Sequence, residues 1–130
     1  MGTLVAIGLT LAAVPSLAHH AIQARFDFDK PLELTGTLTK VEWINPHAYM
    51  FLDVRDPSGR VRNWALEMVG PGGMRKAGLN QTNRAGFKVG ETISVRGFRA
   101  KDGTNTGFVR ELTLSDGREV AIWFGDPYAR

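Results

Sequence analysis

Three histidines, His19, His20 and His47, are the residues in this 130-residue chain best suited to metal chemistry, because cysteine is absent altogether. A neutral imidazole is a metal ligand and titrates near neutral pH. Cleavage after Ala18 would give His19 a free α-amine. That amine and the Nδ1 of the same residue form a chelate ring. A second imidazole, from His20 or His47, completes a three-nitrogen set suited to copper(II). Glu42, Asn45 and Glu67 offer oxygens that can orient an imidazole through its other nitrogen. Met50 and Met68 carry soft sulfur, although core packing is the ordinary use of both. Trp43, Trp64 and Trp123, with Tyr49, could line a stacking groove for bases or sugars. The ordinary readings stand beside these. A paired histidine at a processed terminus is often a solvated tail, and His47 after Asn45-Pro46 can simply cap a turn.

Other chemistries find no support. Without cysteine there are no disulfides, thiolate metal sites or thiol nucleophiles. Ser58 and Ser115 are turn residues, no nucleophile elbow occurs, and no acid–base set can be assembled, so no enzyme is expected. Net charge is +3 with acidic and basic residues interspersed. No run of four Lys or Arg marks a nucleic-acid footprint, so no nucleic-acid partner is expected.

The chain opens with an apolar run, Leu4 to Val14, of the length of a signal-peptide core and too short to span a bilayer comfortably. Pro15 breaks it, and Ser16-Leu17-Ala18 supplies small residues for cleavage. Met1-Gly2-Thr3 lacks the usual positive charge. Residues 1–18 are therefore expected to be a signal peptide, and the protein to be periplasmic or secreted in a bacterium, with no stable membrane span after cleavage. Residues 19–31 are expected to be an N-terminal extended segment, 32–125 a barrel domain and 126–130 a tail.

The elements that must position the histidines are strands. Leu32 to Ile44 alternates apolar and polar residues, with a parity slip between Leu38 and Val41 that predicts a bulge. His47 to Val54 and Val61 to Val69 follow, joined by an Asp56-Pro57-Ser58-Gly59 turn. Pro71 is placed for a first helical turn, and Met74 to Ala77 can form only a short helix before Gly78. Strands Thr92 to Arg99, Phe108 to Leu114 and Val120 to Phe124 complete the domain. Three strands, a helix, then two or three strands predict an all-β fold with one short helix, an OB-fold-like five- to six-stranded Greek-key barrel. A chain reversal at Lys30-Pro31 would lay residues 19 to 29 back along the first strand. His19 and His20 would then fall near Trp43 to His47.

A set of residues in order carries a resemblance: Ala18-His19-His20, Phe26-Asp27, Lys30-Pro31, Thr35-Gly36-Thr37, Val41-Glu42-Trp43, Asn45-Pro46-His47, Asn63-Trp64, Gly97 to Gly103 and Asp116-Gly117-Arg118. It resembles a family of small exported bacterial proteins classed as a domain of unknown function. The resemblance implies export and a small β-barrel, and implies no activity. This chain departs from it at Ala21-Ile22, where the family has a serine and an aromatic, and at Leu79, where the family has a tryptophan.

Together these readings predict an exported, non-enzymatic, monomeric barrel binding an envelope ligand. Copper(II) at His19, His20 and His47, supported by Trp43, Asn45, Glu67 and Trp64, is the sharpest version. The alternative is an interaction module that takes an oligosaccharide, peptide or protein in the barrel groove, without metal.

Overall fold

The computed structural model describes residues 21–80 and 87–125. Helical residues 21–25 lead directly into β1 (Phe26–Glu42), followed by β2 (Tyr49–Arg55) and β3 (Val61–Glu67). The short helix α1 (Pro71–Lys76) comes next, then β4 (Thr92–Ala100), β5 (Thr106–Thr113) and β6 (Glu119–Ala121). The strands form one sheet in the order β3-β2-β1-β4-β5-β6. Its neighbours are antiparallel. A parallel pairing of β3 Ala65–Glu67 with β5 Thr106–Phe108 closes β1, β2, β3, β5 and β4 into a ring. The fold is an all-β, barrel-like one.

β1 holds the ring together because it serves two partners. It pairs with β4 from Phe26–Ala100 to Thr37–Thr92 and with β2 from Thr37–Asp53 to Glu42–Tyr49. At the handover Gly36 lies so close to β2 that an added Cβ would run into the Asp53 carbonyl and the Val54 side chain. The predicted irregularity is present: the β1–β2 register shifts between Leu38 and Lys40. An extra residue there bends the strand and sharpens its twist, which lets one strand line two sides of a small barrel.

Inward positions of the strands supply the main core. Leu38, Met50, Leu52, Leu66, Ile93 and Leu112 are each at most 1% exposed. Burying each such side chain is worth about 2 kcal/mol. A second cluster gathers Ile22, Phe26, Phe98, Phe108 and Trp123. It ties the helical residues 21–25 to the start of β1 and to the chain beyond β6.

Two expectations about the N-terminal side are corrected. The first strand begins at Phe26, so residues 26–31 belong to it rather than to a separate extended segment. The chain does not reverse at Lys30-Pro31. Proline lacks the N–H of a regular ladder residue, and here the β1–β4 register shifts between Asp27 and Pro31, absorbing it while the strand runs on. Residues 26–29 therefore do not lie back along β1. The helix opens at Pro71, the residue placed for its first turn, and ends at Lys76, while the last strand is shorter than expected, ending at Ala121.

Candidate functional site

The β2–β3 hairpin sets the geometry around His47. Its turn is held by Asp56 Oδ1, which accepts hydrogen bonds from the Ser58 and Arg60 backbone N–H groups at 2.9 and 3.0 Å. The ladder then runs in register to Tyr49 opposite Glu67. Ala48 extends it by one step, its carbonyl accepting from the Met68 N–H at 2.8 Å. Alternate residues of a strand share a face. The His47 side chain thus falls beside Tyr49 and diagonally across from Glu67.

Glu67 is 2% exposed and is the one buried charged residue among the described residues. His47 Nδ1 lies 2.5 Å from its Oε1. Arg25 Nη1 donates to Oε2 at 2.5 Å, and Tyr49 Oη donates to the same oxygen at 3.2 Å. Three donors from the helical residues, from the loop before β2 and from β2 itself thus converge on one carboxylate. No buried side-chain nitrogen or oxygen among the described residues is left without a partner.

Burial pushes the Glu67 carboxyl upward in pKa. The His47 hydrogen bond, the Arg25 charge and the Tyr49 hydroxyl together outweigh it, and the group sits below its ordinary value. An ionised carboxylate only accepts. His47 therefore carries its proton on Nδ1, and in the neutral ring the lone pair is on Nε2. That is the arrangement by which a carboxylate orients a metal-binding imidazole. The ring also packs edge-on against Phe108, with centroids 6.5 Å apart. Phe108 also packs against Phe26, with ring centroids 5.7 Å apart, so the start of β1 and His47 have a common neighbour.

The other predicted site residues scatter. His19 and His20 lie outside the described residues. Asn45 is exposed in the turn, and Glu42 is paired with Lys40. Trp43 packs edge-on against Phe87 at 5.8 Å. Trp64 and Trp123 are buried at 7% and 9% exposure, and Met50 and Met68 are fully buried. The three tryptophans do not form an open stacking face. Among the described residues no three His, Cys, Asp or Glu side chains are grouped to hold a metal ion. No local pattern in the sequence marks Arg25, since it reaches Glu67 across 42 positions. The Tyr49–Glu67 pairing had a signal: the two residues lie nine positions either side of Ser58 in the turn.

A small closed β-ring with a buried carboxylate gripping a histidine defines a class of scaffold rather than an activity. The chain belongs to a family of unknown function (DUF6152), whose family model matches residues 7–110. No curated protein matches the chain.

Proposed function

We propose that the protein is an exported, non-enzymatic binding protein with an OB-fold-like barrel, and that its histidine end takes copper(II) with His47 Nε2 as the barrel's ligand. The observation that carries this reading is that Arg25 and His47 grip the same carboxylate. His20 is five residues before Arg25 in the chain. Five residues span at most about 18 Å, so the chain length allows His20, and His19 one residue further, to approach His47. Glu67 supplies the second-nitrogen partner that fixes the imidazole's tautomer and orientation. Its negative charge also offsets the nearby Arg25 guanidinium, which would otherwise oppose a cation.

The OB-fold-like reading is supported by the ring order β1-β2-β3-β5-β4 with α1 between β3 and β4. Export is supported by the apolar opening run and its Ser16-Leu17-Ala18 ending. No helix among the described residues is long and apolar enough to cross a membrane.

Mass spectrometry of the secreted protein should give an N-terminus at His19. Copper(II) titration of that form, followed by electron paramagnetic resonance, should show nitrogen coordination. His47→Ala should weaken binding at least about tenfold, the usual cost of losing a ligand or its support. A different N-terminus, or equal binding by the His47→Ala variant, would defeat the copper reading.

A further inference from the structure

A groove that shares no residue with the Glu67 cluster opens where β1 parts from β2. Their ladder starts only at Thr37–Asp53, so Glu33 to Thr35 and Val54 to Arg55 face each other unpaired by β hydrogen bonds. The cavity between them has a volume of about 450 Å³, within the size range of small-molecule sites. Its apolar floor comes from Leu34, Val54 and Trp64.

Three guanidinium groups, those of Arg55, Arg62 and Arg99, line the same groove. Among the described residues each is held at one point by a side chain or carbonyl and has further N–H donors to offer. Arg99 lies over the Trp64 ring with its Cζ 5.3 Å from the centroid, a cation–π contact. That contact uses none of the guanidinium N–H groups, which stay available to a ligand. Arg62 spends Nε on Asp56 Oδ2 at 3.1 Å. Arg55 spends Nη1 on the Gly59 carbonyl at 2.8 Å. Among the described residues neither Arg55 nor Arg99 forms an ion pair.

Two carboxylates also line the groove, Asp56 and Glu33. Asp56 is already occupied by the turn, accepting from Ser58 Oγ as well as from backbone and Arg62. Glu33 is exposed on β1. Three guanidiniums against two carboxylates, one of them saturated, leave an excess of donors and of positive charge.

We infer that this groove binds a small ligand carrying two or more oxyanion groups, carboxylate or phosphate, on a compact body that rests on the apolar floor. Arg–oxyanion pairing is frequently bidentate and directional, which suits pre-held guanidinium edges better than flexible lysines. This inference is independent of the copper reading.

Calorimetric titration of the protein at low ionic strength with trigalacturonate, pyrophosphate and neutral galactotriose tests it. Saturable binding of trigalacturonate or of pyrophosphate, with none of galactotriose, is expected, and the stronger of the two identifies the source of the oxyanion. Arg99→Gln and Arg55→Gln should each weaken that binding about tenfold or more, as loss of a charge-assisted contact does. Arg75→Gln removes the same charge from α1 and should leave it unchanged. Circular dichroism of each variant confirms that it is folded, and the two groove variants check one another. Failure of both anionic probes to bind overturns the inference. So does binding that survives both groove substitutions or disappears with Arg75→Gln.

Discussion

His47 donates from Nδ1 to Glu67 Oε1 at 2.5 Å, joining the loop before β2 to the end of β3. The same carboxylate holds Arg25, whose side chain is half exposed while that of Glu67 is 3% exposed. This asymmetry ranks the expected costs. Removing a half-exposed arginine returns its charge to water and leaves Glu67 with two donors. Arg25→Ala should therefore cost only about 1 kcal/mol. Glu67→Ala strips three donors of their acceptor and opens a buried polar gap, which should cost about 2–4 kcal/mol. Urea unfolding midpoints compare the two directly. A larger loss for Arg25→Ala would mean that the helical residues, rather than the carboxylate, anchor this end of the barrel.

The same carboxylate should make stability depend on acid. Its folded-state pKa lies below the ordinary value of 4.5, because His47, Arg25 and Tyr49 outweigh the effect of burial. Between the folded and unfolded values the unfolded chain binds more protons, so stability rises with pH there. The contribution is fully present above the unfolded value and is lost as pH falls through the folded one. In chelator-treated protein, the stability gap between wild type and Glu67→Gln should shrink as pH falls below about 4. Urea midpoints measured through that fall in pH test it. A gap that widens in acid would contradict the direction of the shift.

Local patterns made much of the barrel legible. Leu32, Leu34 and Leu38 alternate with exposed residues, and the slip before Val41 became the bulge between Leu38 and Lys40. The Asp56 turn fixed the β2–β3 register. What escaped depended on distant partners. Pro31 reads as a break, yet a register shift against β4 carries the strand past it. The β3–β5 closure rests on three residue pairs that no periodicity announces. At the site, His47 and Glu67 were both visible as polar residues near a turn. The hairpin centre pairs Tyr49 with Glu67 and so leaves His47 diagonal to it, but the Arg25 contact requires the barrel to curl back on itself.

Close backbone approach makes Gly97 the position least able to change. The β4–β5 register shifts between Arg96 and Gly97, opposite Val109. A Cβ at Gly97 would be driven into the Phe108 carbonyl, and backbone atoms of a closed sheet cannot step aside. Gly97→Ala should therefore unfold or severely destabilise the protein, by more than about 3 kcal/mol. Gly78→Ala provides the contrast. Its backbone has φ +85° with nothing within 4 Å of the added carbon, so only conformational strain is expected, about 1 kcal/mol. Soluble yield and thermal midpoint of the two variants separate crowding from strain.

Trp123 should control how firmly the helical residues 21–25 are held. Its ring meets Phe108 at 5.4 Å and Phe98 at 6.0 Å, both near perpendicular. Ile22 is buried in this same cluster at 5% exposure. The tryptophan is positioned by Ile122 and Trp123 N–H groups donating to the Arg110 carbonyl at 2.8 and 3.2 Å. Trp123→Ala removes the largest member of the cluster and should cost about 3–4 kcal/mol. The loss should not be uniform. Amides of residues 22–26 should lose hydrogen-exchange protection before those of β2 and β3, whose side chains pack in the main core. If protection fell equally everywhere, the two clusters would be acting as one cooperative unit. The grip on the Arg25 segment would then depend on the whole barrel rather than on this ring of aromatics.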